Sequence, residues 1–135
     1  MTLKITLNLI DNSHFALQAD RKLEELNPKE MLLYASAACL GHTIIGLLKE
    51  HIGSLKDMEL SIEGTLSTPS LVAESRFSHF HVTYRAECPR QKDQIIVSRA
   101  VNLANDKYCG MLQMLRRIAP LTHETSIVTT DETSY

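Results

Sequence analysis

Residues 27–48 read NPKEMLLYASAACLGHTIIGLL, and from Met31 to Leu48 no Asp, Glu, Lys or Arg interrupts the run. The opening carries helix-start chemistry. Asn27 stands where an N-cap is needed, Pro28 fits the first helical position, and Glu30 falls at N3, where its carboxylate can reach back to the cap amide. The pattern predicts a helix to about His51, ended by Gly53. Ala35, Ala38, Gly41 and Gly46 would let another element approach closely. A membrane helix needs about 20 predominantly apolar residues. This run is slightly shorter and holds Ser36, His42 and Thr43, so a central helix surrounded by protein is the better reading.

The flanking sequence supplies strands. Residues 3–10, LKITLNLI, place Leu3, Ile5, Leu7 and Leu9 on one face. Asp11-Asn12-Ser13 is turn chemistry and residues 14–18 read as the returning strand, so a hairpin opens the chain. Charged residues 20–26 link it to the helix. Beyond the helix, residues 57–66 alternate again, with Met58, Leu60 and Ile62 facing one way. Thr68-Pro69-Ser70 breaks the pattern. Residues 74–87 form a third long strand with Phe80, Val82 and Tyr84 on one face, ended by Pro89. Residues 91–107 have helical spacing, and a second helix or kinked continuation runs from Tyr108 to Ile118, where Pro120 stops it. Thr122–Thr130 is rich in β-branched residues and reads as a last strand. Asp131–Tyr135 is expected to fray. The order β-β-α-β-β-α-α-β gives an α+β fold with antiparallel sheet wrapped around helices. One chain offers few layers to cover the 31–48 helix on every side, so a homodimer is expected.

Composition narrows the function. The 135 residues fit a single domain, 1–135. Fourteen basic against sixteen acidic residues give a net charge of −2, and aromatics are 5% with no Trp. Neither a basic nucleic-acid surface nor a base-stacking platform is expected. Residues 1–10 lack the apolar stretch of a signal peptide, so no targeting segment is expected. Three cysteines fit a reducing compartment, the cytoplasm.

Cys39 lies mid-helix and Cys109 opens a later apolar segment, 70 positions on. Two readings stand side by side. Buried cysteines behave as small hydrophobes, or helix packing brings the two together as a dithiol pair. There is no CxxC and no zinc-ligand set. Cys88, before Pro89, reads as a loop thiol. His79 and His81 share a strand face and could bind metal, although solvated histidines are the plainer reading. His42 is near the Cys39 face of the helix, more simply as a structural hydrogen-bonding residue than as a tuner of the thiol. Arg116 and Arg117 suit the end of a helix electrostatically.

Asn27-Pro28-x-Glu30 followed by Leu32-Leu33-x-Ala35-x-Ala37-Ala38-Cys39 resembles the first-cysteine helix of the OsmC/Ohr family, the osmotically inducible protein C and organic hydroperoxide resistance proteins. Lys107-Tyr108-Cys109, leading into Pro120-Leu121-Thr122-His123, resembles the second-cysteine region. The resemblance implies an intertwined homodimer and thiol peroxidase chemistry. Cys39 would attack an organic hydroperoxide and become a sulfenic acid, and Cys109 would condense with it to a disulfide. The reductant implied is a dithiol, in many members a lipoylated protein. No metal, flavin or haem cofactor is implied. The family carries an acid where this chain has Lys29, and an arginine that favours the thiolate. Here the candidates are Glu30 and Arg21. On a regular helix Glu30 lies half a turn round from Cys39, so capping is its stronger reading. Met111, Leu112, Met114 and Leu115 would wall the site for an alkyl or fatty substrate. The rival readings are a binder of a hydrophobic small molecule in the dimer crevice, and a thiol–disulfide redox protein without peroxide turnover.

Overall fold

The structure, a computed structural model, describes residues 1–130 except 12, 13, 19 and 52. The Asn12-Ser13 part of the first turn and the 131–135 tail therefore lie outside the described residues. Five strands form one sheet: β1 (Thr2–Ile10), β2 (His14–Leu17), β3 (Asp57–Leu66), β4 (Phe77–Cys88) and β5 (Leu121–Thr129). Their order across the sheet is β2-β1-β3-β4-β5. The first four pair antiparallel, while β5 runs parallel to β4. Three helices accompany the sheet: α1 (Pro28–Leu47), α2 (Asp93–Leu103) and α3 (Gly110–Ile118).

Period-two alternation sets the register. Ile5 pairs with Ile62, which pairs with Val82; Leu7 pairs with Leu60, which pairs with Tyr84. These cross-strand rows are completely or almost completely buried. A one-residue slip would turn the whole set outward. The intervening residues make a polar face, on which Lys4 pairs with Glu63 at 3.7 Å.

α1 packs on the apolar rows through Leu33, Ala37, Leu40 and Ile44, all fully buried. These positions follow helical spacing. Its start has the expected chemistry: the Glu30 amide donates to Asn27 Oδ1 at 2.8 Å, and the Asn27 amide donates to Glu30 Oε1 at 3.1 Å. Its end differs from expectation. The helix stops at Leu47, and Gly53, with φ of 94°, serves the following loop instead. α1 is long and apolar enough to cross a membrane by length and composition. A third of its apolar stretch is buried, so within this chain α1 is covered along its sheet-facing edge and not on every side as expected.

The chain after β4 also differs. The expected 91–107 helix is α2 followed by a π-helical turn over Ala104–Tyr108. Together with α3 these segments form the crossover that a parallel β4–β5 pairing requires. Cys88 is the last residue of β4 and is fully buried, so it is a core side chain rather than the loop thiol expected from Pro89.

At Gly41 the Phe15 side chain of β2 packs directly onto α1. A Cβ there would sit 2.5 Å from the Phe15 ring. Overpacking of this kind costs about 1–3 kcal/mol. Gly41→Val should lower the unfolding free energy by about that amount in a urea titration.

Candidate active site

Cys39 is carried by α1 and is partly exposed; its carbonyl accepts a hydrogen bond from Thr43 Oγ1 at 2.8 Å. Cys109 is fully buried and occupies the N-cap position of α3. The two sulfurs are 3.7 Å apart, with the Cys109 thiol donating toward Cys39 Sγ, and both are free thiols. Residues 70 positions apart in sequence therefore meet at an α1–α3 contact.

The π-helical turn explains how Cys109 points inward. The Cys109 amide donates to the Ala104 carbonyl at 3.0 Å, an i→i−5 bond. Such a bond admits one more residue to the turn than an α-helix does. The buried series Val97, Val101, Ala104 would otherwise continue to residue 108. With the extra residue the phase slips by one position: Tyr108 is exposed and Cys109 is buried, and the extended backbone at Cys109 then starts α3, whose Leu112 and Leu115 are buried.

Burial pushes the Cys109 thiol up to about 11, the neighbouring Cys39 adds to the rise, and the amides of Leu112 and Met111 oppose it. At neutral pH Cys109 is therefore an S–H donor. A hydrogen bond from it to the Cys39 sulfur strengthens when that sulfur is anionic.

Arg21 and Glu30 form a second, separate pair. Arg21 Nη2 lies 2.6 Å from Glu30 Oε2, with the carboxylate mostly buried. Glu30 thus closes the capping box with one oxygen and holds Arg21 with the other. It precedes Cys39 by nine residues, about 13 Å of helix rise. No hydrogen bond joins Arg21 or Glu30 to Cys39 among the described residues.

The profile of the family described as OsmC-like protein matches residues 20–124. The chain belongs to the OsmC-like protein family. Among curated relatives, Protein YhfA of Escherichia coli (strain K12) is 29% identical over 104 residues, 76% of this chain and 73% of that protein. Among solved structures, an OsmC-like protein from Mycoplasma pneumoniae superposes with a TM-score of 0.60 at 12% identity, covering 95% of this chain and 96% of that one. An organic hydroperoxide resistance protein OsmC from Legionella pneumophila gives a TM-score of 0.52 at 15% identity, covering 92% and 96%. At these identities the structural likeness establishes the OsmC-like α+β fold.

The remaining candidates fall outside the sulfur pair. His79 Nε2 and His81 Nδ1 both meet Thr122 Oγ1, at 3.1 and 2.7 Å, and His81 Nε2 also reaches Glu124 at 3.3 Å. No group of three or more metal-ligating side chains occurs among the described residues. His42 is exposed and its ring makes no hydrogen bond among the described residues, so it is not the structural hydrogen-bonding residue expected. Arg116 and Arg117 stand in the last turn of α3 as expected, and Arg116 Nη2 also donates to the Asn105 carbonyl at 2.9 Å. Of the expected apolar wall, Leu112 and Leu115 are buried but Met114 is 57% exposed. Asn105 and Tyr84 were missed. Both are fully buried, and Tyr84 Oη donates to Asn105 Oδ1 at 2.7 Å. An Asn inside a helical pattern gave no sign that the helix changes its bonding there.

The raised Cys109 thiol has a pH consequence. An unfolded thiol ionises near 9.0, whereas Cys109 in the fold keeps its proton to about 11. Folding therefore gains from Cys109 below 9 and loses that gain as pH rises through the interval. Denaturant titrations between pH 8 and 11 should show stability falling with pH, with a shallower fall in Cys109→Ala. Tyr84, whose phenol burial also pushes upward, contributes in the same direction and remains in both proteins.

Proposed function

We propose that the chain reduces organic hydroperoxides through a two-cysteine cycle. The observation that supports it most directly is a partly exposed thiol 3.7 Å from a buried one, both free. In this reading Cys39, as thiolate, attacks the distal peroxide oxygen. The O–O bond breaks, the alkoxide takes a proton and leaves as an alcohol, and Cys39 becomes a sulfenic acid. Cys109 then attacks the Cys39 sulfur. The S–O bond breaks, and the departing hydroxide takes the Cys109 proton and leaves as water. A dithiol, such as a lipoylated protein, reduces the resulting disulfide by two exchanges and is itself oxidised.

Burial suits Cys109 to the second step. A protonated, enclosed thiol does not compete for peroxide, yet it lies beside the sulfur it must resolve. Arg21 enters this reading as the cation that favours the Cys39 thiolate, on the strength of the family resemblance, with Glu30 as its anchor. The cytoplasm, a reducing compartment, suits a cycle that begins with two thiols.

The reading includes a homodimer, with the chain as one domain. On α1 the face away from the sheet carries Met31, Ala35, His42 and Gly46, all exposed. α3 exposes Met114 at 57% and Ile118 at 53%, and β5 exposes Val128 at 49%. A second copy covering these faces would bury the apolar surface that one chain leaves open. Light scattering at micromolar concentration should give twice the chain mass, and Ile118→Asp should shift the protein toward monomer.

The activity is checked by following dithiol consumption with cumene hydroperoxide. Cys39→Ser should abolish it. Cys109→Ser should permit one turnover and leave Cys39 with one or two added oxygens by mass. Disulfide exchange without peroxide consumption in the wild type would favour the plain redox-protein reading.

A further inference from the structure

We propose that Asn105 is a positioning residue for Cys109: with Tyr84 and Arg116 it braces the π-helical turn that aims the Cys109 sulfur at Cys39. The proposal rests on the two-cysteine reading and extends it to a residue outside the sulfur pair.

Asn105 sits inside the turn and is fully buried. Nearly all of its bonding capacity is used. Its Oδ1 accepts from Tyr84 Oη at 2.7 Å, its Nδ2 donates to Asp106 Oδ1 at 3.0 Å, and Nδ2 also lies 3.4 Å from His123 Nδ1. Its carbonyl accepts from Arg116 Nη2 at 2.9 Å and from Gln113 Nε2 at 3.3 Å. These bonds tie the turn to β4 on one side and to α3 on the other. Cys109 follows four residues after Asn105, hydrogen-bonded through its amide to Ala104 and through its carbonyl to the Gln113 amide. Burial keeps the Tyr84 phenol protonated, so its bond to Asn105 holds across the working pH range.

A stable α-helix does not need this investment. A buried amide costs free energy unless its hydrogen bonds are made, and an apolar residue would fill the same space at less risk. What the arrangement secures is the phase slip that turns Cys109 inward. The sulfurs stand 3.7 Å apart, and a disulfide bond is about 2.05 Å. Cys109 must therefore close a short gap along a defined line while Cys39 is still a sulfenic acid. Misplacing a reacting atom by about 1 Å can cost on the order of 10²-fold in rate. Delay at this step leaves the sulfenic acid open to a second peroxide and to the sulfinic state.

The test compares wild type with Tyr84→Phe, Asn105→Ala and Arg116→Lys after a limited dose of cumene hydroperoxide. Peptide mapping gives the ratio of Cys39–Cys109 disulfide to Cys39 sulfinic acid. Tyr84→Phe removes a single oxygen and keeps the ring, so it carries the comparison even where Asn105→Ala fails to fold. The expected result is a ratio lowered about tenfold or more in Tyr84→Phe and Asn105→Ala. Arg116→Lys, which retains a donor for the Asn105 carbonyl, should stay near wild type. A purely structural role would lower both products together and leave their ratio alone. A wild-type ratio in Tyr84→Phe overturns the proposal. If the wild type yields neither product with peroxide, the hydroperoxide reading falls, and the brace is judged with diamide, which oxidises thiol pairs directly. Disulfide formation slowed about tenfold in Tyr84→Phe would support the brace, and equal rates would overturn it.

Discussion

The structure depends on one packing contact: the Leu33–Ala37–Leu40–Ile44 edge of α1 against β1, β2 and β3. Each fully buried side chain of Leu or Ile size contributes roughly 1.5–3 kcal/mol. Several of them on one helix edge match a typical domain's whole margin of about 5–15 kcal/mol. This contact fixes the rotation of α1 about its axis. With Leu33, Leu40 and Ile44 turned to the sheet, Cys39 is turned toward the start of α3. The candidate site is therefore a by-product of how the core is filled, and changes far from either sulfur would move it.

Two features give the site its asymmetry. α1 is an uninterrupted helix, so Cys39 has a fixed and partly open position. Cys109 is held at a junction between two kinds of helix, with a buried hydrogen-bonded amide beneath it. One thiol meets solvent and the other does not. The difference comes from backbone geometry more than from charge, since the ion pair of Arg21 and Glu30 stands in the first turn of α1, about 13 Å of helix rise before Cys39.

Much of this was legible in the sequence. The capping box was read from Asn27, Pro28 and Glu30, because local side-chain chemistry sets a helix start. The alternation in β1, β3 and β4 gave their buried faces, because a strand has only two. The parallel docking of β5 was not legible, since a strand's own pattern does not say which way its neighbour runs. The end of α1 was misplaced because Gly53 announces a backbone turn without saying which element it terminates. Pro89 signals that the strand ends without saying at which residue, and β4 runs one residue further than its pattern suggests, so Cys88 is inside it. The π-helical turn escaped for a related reason: it changes hydrogen bonding without changing residue types. Capping was set against ion pairing for Glu30, yet a carboxylate has two oxygens and here each has its own partner.

The 70 positions between the two cysteines carry a thermodynamic consequence. Joining residues so far apart removes chain entropy from the unfolded state, on the order of 4 kcal/mol for a loop of this length. By linkage the folded protein would hold its disulfide more tightly than the unfolded chain, equivalent to roughly 90 mV of reduction potential. In the proposed cycle the dithiol reductant would have to work against that margin each time it reopens the bridge.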